Sequence, residues 1–177
     1  MASTKLHEEP IYRGKIVDLA RETHRLPDGR EAGFEVIRHP GGAAALPVLE
    51  DGRLILIRQF RPAIEGHLLE IPAGRLEPGE DGRSCVAREL EEEIGYKAGR
   101  FEPLADIYSS VGFCNEQIFI YLAEDLQQTT QALELDEFIE LQIMTLDQAL
   151  DKMNAGEIRD AKTRVALLEY ALKAGTR

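Results

Sequence analysis

The sequence predicts an α/β protein, a mixed sheet with helices packed on its faces, on three observations. Two stretches in the first third of the chain read as strand pairs about Asp-Gly turns, and strand-like runs continue as far as residue 144. Helical patterns are few and well separated. The hairpins at the start argue against a purely parallel, doubly wound sheet, whose strands need long crossover connections.

Taken in order, "YRGKIVDLARETHRLPDGREAGFEVIRH" reads as two strands around Asp28-Gly29, and "AALPVLEDGRLILIRQFRPA" repeats the device around Asp51-Gly52. "HLLEIPAGRLEPGE" is a strand running into a loop rich in Gly and Pro. From Glu80 to Ile94 the pattern turns helical, with Gly95 placed as a C-terminal cap. Strands follow at "ADIYSS", "QIFIYLAED" and "FIELQIMT". Thr145 and Gln148 form a capping box ahead of "LDQALDKMNAG", and "DAKTRVALLEYALKAG" is a last helix. We divide the chain into an N-terminal strand extension, 1–40, and a main domain, 41–177.

At 177 residues, with 44% hydrophobic and 30% charged residues, the chain suits one globular domain. The net charge is 21 − 32 = −11 with no basic run, which argues against nucleic acid or an anionic membrane as partner. No apolar run approaches a bilayer span, and "MASTKLHEEP" lacks the apolar core of a secretory signal. Cys85 and Cys114 have no metal-type spacing, so free thiols in a reducing cytoplasm are expected. His7, His24, His39 and His67 are scattered, and none is assigned a role.

The informative stretch is "ELEEE", residues 89–93. Glutamates one helical turn apart repel by a few tenths of a kcal/mol per pair, roughly. On a wheel at about 100° per residue, Val86, Leu90 and Ile94 form an apolar stripe. Glu89, Glu92 and Glu93 lie along an adjacent stripe, and Glu91 points elsewhere. A solvated acidic face and a site for a hard divalent cation both account for that pattern. Mg²⁺ prefers carboxylate and water oxygens, often completed by substrate phosphates.

The surroundings favour the cation. Gly74, Glu80, Arg88, Glu89, Glu92, Glu93 and Gly95 fit the pattern Gx5Ex7REUxEExGU, U being a bulky apolar residue, with Leu90 at the first U and Tyr96 at the second. This resembles the Nudix box, and with it the Nudix hydrolase family. The resemblance implies an α/β/α sandwich that hydrolyses a nucleoside diphosphate linked to another group, using Mg²⁺ or Mn²⁺. It implies Glu89, Glu92 and Glu93 as metal ligands, joined by the backbone carbonyl of Ala73, while Glu80 and Arg88 hold loop to helix. Glu92 is also carried as catalytic. A general base is expected from "LELDEFIEL", where Glu137 is preferred to Glu134, Asp136 and Glu140 because it stands immediately before the strand.

Beyond the box the chain resembles the ADP-ribose pyrophosphatase and nucleoside-diphosphate-sugar hydrolase branch. "IRQFRPA" is similar to its Gln-x-Arg strand, with Arg61 on phosphate; "LLEIPAG" to its Leu-Glu entry, with Glu70 near substrate; and "NAGEIRDAKT" to its C-terminal segment. "YSSVGFCNEQ" is similar to its Ser-Pro-Gly loop, placing Val111 at the marker proline and Glu116 after it. Phe113 on that loop is a candidate to stack on a base or sugar. The branch implies hydrolysis of ADP-ribose to AMP and ribose 5-phosphate, and a homodimer exchanging its N-terminal region. Valine in place of proline opens a second reading, a hydrolase of GDP-mannose or ADP-glucose. A non-catalytic module that senses ADP-ribose is a third, disfavoured by the complete box. Coenzyme A hydrolases carry an arginine-rich pattern before the box that "GHLLEIPAG" lacks.

Overall fold

A computed structural model describes residues 2–133 and 137–175, which form two compact units. One comprises the chain up to Gly41 with Tyr108–Gln117; the other comprises Gly42–Ile107 with the chain from Ile118 onward.

In the first unit β1 (Thr4–Arg13), β2 (Asp18–Arg25) and β3 (Glu31–Arg38) form an antiparallel sheet in that order. The Asp28-Gly29 turn joins β2 to β3 as predicted: Leu26 N–H donates to Arg30 O at 2.7 Å, and Gly29 takes φ +88°. Strand β1 was not expected. Every one of its residues is exposed, so its sequence shows none of the alternation that marks a half-buried strand. Tyr108–Gln117 is stitched to β3 by a parallel bridge between Ile37 and Cys114, with Ile37 N–H donating to Phe113 O at 2.7 Å.

The second unit carries β4 (Gly42–Pro47), β5 (Leu54–Arg61), β6 (Gly66–Glu70) and β7 (Ala73–Arg75). After helix α1 (Gly82–Glu89) come β8 (Tyr96–Tyr108), β9 (Gln117–Gln128), β10 (Ile139–Met144), α2 (Leu146–Asn154) and α3 (Ala161–Gly175). One sheet has the order β7-β4-β9-β8, with β4 and β9 parallel; the other, antiparallel, has the order β10-β5-β6. The sheets are mixed, as expected. The Asp51-Gly52 turn forms, with Gly52 at φ +81°, yet it does not close a full hairpin. A single bridge, Val48 to Leu54, joins the two strands before they part into different sheets. Their composition explains the departure. Ala43 to Leu46 and Leu54 to Ile57 are all 0% exposed, so each strand needs cover on both faces.

Alternation along these two strands builds the layers. Ala44, Leu46, Leu54 and Leu56 join a core with Ala149, Met153, Ile158, Ala166 and Leu167 of the α2–α3 region. Ala43, Ala45, Ile55 and Ile57 join a second core with Cys85, Val86, Leu90 and Ile94. Helices therefore lie on both sides of the strands, an α/β/α arrangement. The capping box predicted at Thr145 is present, with Gln148 N–H donating to Thr145 Oγ1 and Thr145 N–H to Gln148 Oε1.

Gly95 ends the site helix at φ +70°, where an added Cβ would stand 2.9 Å from Gln131 N. A side chain in the left-handed conformation costs about 1–2 kcal/mol before any clash. G95A should lower the unfolding free energy, measured in urea, by about 1–3 kcal/mol. An unchanged midpoint would show that the Gln131 segment does not pack on the helix end.

Candidate active site

Asp81 starts α1, its carboxylate accepting from Ser84 N–H at 2.8 Å. The helix was expected to run on to Ile94 without interruption. Instead Leu90–Ile94 forms a single π-helical turn, closed by Gly95, whose N–H reaches the carbonyls of Leu90 and Glu91. π turns inside helices are rare and concentrate at functional sites. The next carbonyls are taken by a separate segment: Thr129 N–H donates to Gly95 O at 2.7 Å, Gln131 Nε2 to Glu93 O at 2.6 Å and Ala132 N–H to Glu92 O at 2.9 Å. This segment leads directly into the acidic stretch that holds Glu137.

The glutamates divide by burial. Glu93 is 2% exposed and Glu89 8%. Glu92 is half-buried, and Glu91 turns outward to Lys97 at 3.0 Å. The loop before the helix is fitted to them. Ala73 N–H donates to Glu93 Oε2 at 2.9 Å, and a Cβ on Gly74 would stand 1.7 Å from Glu89 Oε1. Gly74 is thus glycine because a carboxylate occupies the space of its missing side chain.

Arg88 ties the pieces together. It donates to Glu80 at 3.2 Å, to Glu89 Oε1 at 2.6 Å, to Glu92 Oε2 at 2.9 Å and to the carbonyl of Arg75 at 3.3 Å. Glu80 also accepts from Glu77 N–H at 3.0 Å. Burial works against the Arg88 charge, but its hydrogen bonds to Glu80, Glu89 and Glu92 hold its pKa above the usual value. Cys85 sits behind this layer as a buried thiol, its pKa pushed up to about 12 by burial and by Glu80 and Glu89. It is inert core.

Glu93 has no such cation against it. Burial, Glu89 and Glu137 push its pKa up to about 8, opposed by Ala73 N–H and the charge of Arg61. Burial raises Glu89 as well, and the charges of Glu92 and Glu137 add to it. Glu137 is half-buried, and its charge is felt by both glutamates. Of the other acids weighed for that role, Glu140 is exposed and pairs with Arg58 at 3.3 Å, whereas Glu134 and Asp136 lie outside the described residues.

These groups suit a hard divalent cation, since they are carboxylate oxygens whose mutual repulsion such an ion would relieve. Arg88 engages one oxygen of Glu89 and one of Glu92, and the second oxygen of each is not bound by it. Among the described residues no three acidic, imidazole or thiol side chains are gathered tightly enough to hold an ion as they stand. Glu89, Glu92, Glu93 and the Ala73 carbonyl are the groups that would hold one after adjustment of the Arg88 contacts.

Arg61 lies within reach of the Glu93 charge and is fixed from the other side. Its Nε and Nη2 donate to Glu70 at 2.8 and 2.9 Å. Glu70, 1% exposed, also accepts from Lys162, which in turn contacts Asp160 at 2.9 Å. Asp160 accepts from Thr163 N–H at 2.9 Å at the start of α3, and Thr163 Oγ1 accepts from Ile71 N–H at 2.8 Å. Lys162 and Asp160 were not singled out from the sequence. The readable signal was Asp160 three residues before Thr163, a helix cap, and nothing local tells that the lysine beside it points at Glu70.

The remaining predicted residues belong to the first unit. Val111 is 76% exposed and Phe113 53%. Glu116 faces His39 Nδ1 at 3.4 Å. The loop is held without proline: Cys114 N–H donates to Ser110 O at 2.9 Å, and Asn115 Oδ1 accepts from His39 N–H at 2.8 Å.

The fold and the acidic helix suit a hydrolase that works with a divalent cation, and the comparisons give the chain a family. Residues 38–164 match the NUDIX domain, and the chain belongs to the Nudix family. It is 40% identical over 168 residues to an ADP-ribose pyrophosphatase of Bacillus subtilis, covering 94% of this chain and 91% of that one. A methanol dehydrogenase activator of Bacillus methanolicus is 39% identical (93% and 92% covered), and a GDP-mannose pyrophosphatase of Cronobacter sakazakii is 36% identical (90% and 86%). A solved structure, "Crystal structure of ADP compounds hydrolase", superposes with a TM-score of 0.88 over 99% of this chain and 96% of that one. At 20% identity it shows the fold.

Two predictions follow from this geometry. G74A forces the Glu89 carboxylate aside, so the variant should keep wild-type helix content by circular dichroism but lose most of the thermal shift that Mg²⁺ gives the wild type. An undiminished shift would exclude Glu89 from cation binding. For Glu70, burial pushes the pKa up but is outweighed by Arg61 and Lys162, leaving it below its ordinary 4.5. Its folded value is depressed, so its contribution to stability is complete above about pH 4.5 and is lost as pH falls through the folded value. The stability advantage of wild type over E70Q, from urea unfolding, should therefore shrink as pH falls below about 4.5. A flat difference through that window would mean that Glu70 is not ionised in the native state.

Proposed function

We propose that this chain is a divalent-cation-dependent pyrophosphatase that cleaves ADP-ribose to AMP and ribose 5-phosphate. The observation that carries this is the pair of buried carboxylates Glu89 and Glu93, both raised in pKa by burial and by the nearby charge of Glu137, with the permanently charged Arg61 within reach of Glu93. Acids that repel one another next to an oriented guanidinium suit a substrate that brings a diphosphate and its cations together.

The residues divide the work. Arg61, held by Glu70 and Lys162, takes a phosphate oxygen with its remaining N–H groups. Glu89, Glu92, Glu93 and the Ala73 carbonyl would hold Mg²⁺ or Mn²⁺. A bound cation of this kind neutralises charge on the diphosphate and lowers the pKa of a coordinated water. Glu137 accepts a proton from the water that attacks phosphorus, and the bridging P–O bond breaks to leave two monophosphates. Val111, Phe113 and Glu116 are proposed to select the base and sugar, following their places in the branch pattern. The ADP-ribose pyrophosphatase at 40% identity over most of both chains supports the substrate.

One observation favours a second substrate, a nucleoside diphosphate hexose. Val111 stands where the ADP-ribose branch has its marker proline, and GDP-mannose pyrophosphatases are also among the relatives. We further infer a cytoplasmic homodimer formed through residues 1–40. Exposed Leu6, Ile11, Tyr12, Ile16, Val17 and Phe34 in that segment support an apolar contact, and no described helix is long and apolar enough to cross a membrane.

Purified protein with Mg²⁺ should release AMP from ADP-ribose faster than it releases nucleoside monophosphates from GDP-mannose, ADP-glucose, UDP-glucose or coenzyme A. E93Q should lose activity on the order of 100-fold or more. Faster turnover of a nucleotide hexose would move the assignment to the second substrate, and an inactive wild type would overturn both.

A further inference from the structure

Among the described residues, the amide oxygen of Gln59 is a buried acceptor without a hydrogen-bond partner, in a side chain only 8% exposed. Leaving such an oxygen unmatched is destabilising, because it gives up water and receives nothing in return. An apolar residue of similar size would remove the penalty.

The position of Gln59 says what donor could reach it. Alternation along β5 sets Ile55, Ile57, Gln59 and Arg61 on one face, and Ile55 and Ile57 pack in the core that holds Val86 and Leu90 of the site helix. Gln59 is thus the step between that apolar contact and Arg61, whose charge is felt by Glu93. Its cross-strand neighbours are Leu68 on β6 and Ile139 on β10, neither with a side-chain donor. Glu137 stands two residues before Ile139, the first residue of β10 and the partner of Gln59, and both Glu137 and Arg61 act on the Glu93 charge. The unmatched oxygen therefore lies next to the place where the proposed base and the phosphate-binding arginine come together.

We propose that Gln59 accepts a hydrogen bond from the water that attacks the diphosphate, and so orients it; this rests on the pyrophosphatase reading above. One hydrogen of that water is directed to the amide oxygen and stays on the water oxygen. The other passes to Glu137. The freed lone pair forms the new P–O bond, and the bridging oxygen departs with its electron pair on the second monophosphate. The amide neither gains nor loses a proton, so its contribution is orientation of the nucleophile.

The test replaces Gln59 with methionine, of similar length and without a hydrogen-bonding amide, and in parallel with leucine. Metal-free Tm, kcat and KM for ADP-ribose are measured beside wild type. Expected for Q59M are an equal or higher metal-free Tm, a kcat at least tenfold lower and a KM within about twofold of wild type. That combination separates an acceptor used in the reaction from one used in the fold. Unchanged kcat would show that the amide is idle and overturn the proposal. A higher KM at constant kcat would overturn it in favour of a hydroxyl of the substrate as donor. Unfolding of both apolar variants, or a fall in Tm that accounts for the fall in kcat, would assign Gln59 to structure. If wild type itself turns over no substrate, the pyrophosphatase reading fails; if wild type is active and Q59M equals it, the role of Gln59 alone fails.

Discussion

Burial of the Glu93 carboxylate is the constraint around which the second unit is organised. A glutamate that is 2% exposed, beside another that is 8% exposed, opposes folding unless hydrogen bonds and cations compensate. The fold supplies one backbone donor, Ala73 N–H, and this fixes the loop before the helix. That loop is also β7, paired with β4 at Ala44–Ala73, so the donor is carried on a sheet edge and not on a free segment. Gly74 follows because the same close approach leaves no room for a Cβ against Glu89. Arg88 and Glu80 follow in turn, since the loop between β7 and α1 must be held to the helix that carries the acids.

A second chain of charges extends from this centre to the far end of the sequence. Arg61, Glu70, Lys162 and Asp160 alternate in sign and are mostly buried, linking β5 and β6 to the first turn of α3. Removing one member of such a chain leaves its neighbour charged and unpaired, which is costlier than the pair is stabilising. Its two cations and two anions balance, and the end of the chain that reaches Glu93 is the cation Arg61.

Much of this was legible in the sequence because the box combines local geometry with unusual residue choices. Seven fixed positions, an apolar stripe at Val86, Leu90 and Ile94, and a capping glycine are all short-range features, and they specify helix, loop and acids together. What escaped was set at long range. β1 carries no pattern because no face of it is buried. The Asp51-Gly52 turn formed, but two doubly buried strands could not remain partners. The π turn at Leu90–Ile94 accompanies docking by residues some 35 to 40 positions later, beyond any helical wheel. Lys162 reads as an ordinary helix lysine until Glu70, 92 residues away, is placed beside it.

The placement of the residues along the chain bears on how specificity changes within such a family. The groups assigned to the cations, the phosphate and the base, Glu89, Glu92, Glu93, Arg61 and Glu137, all belong to the second unit. Val111, Phe113 and Glu116 belong to the first, on a segment bound to β3 by Ile37 and His39. Val111 and Phe113 are exposed on that loop and can be exchanged with little cost to stability, whereas Glu116 is half-buried against His39. The buried charges of the second unit cannot be exchanged in this way, because Arg61 and Lys162 counter Glu70, Arg88 counters Glu80 and Glu89, and Glu93 depends on the Ala73 N–H. On the proposed roles, diphosphate chemistry would be tied to the core while the choice of base and sugar would be open to substitution. Such a division would accommodate relatives of comparable identity that carry the names ADP-ribose pyrophosphatase and GDP-mannose pyrophosphatase.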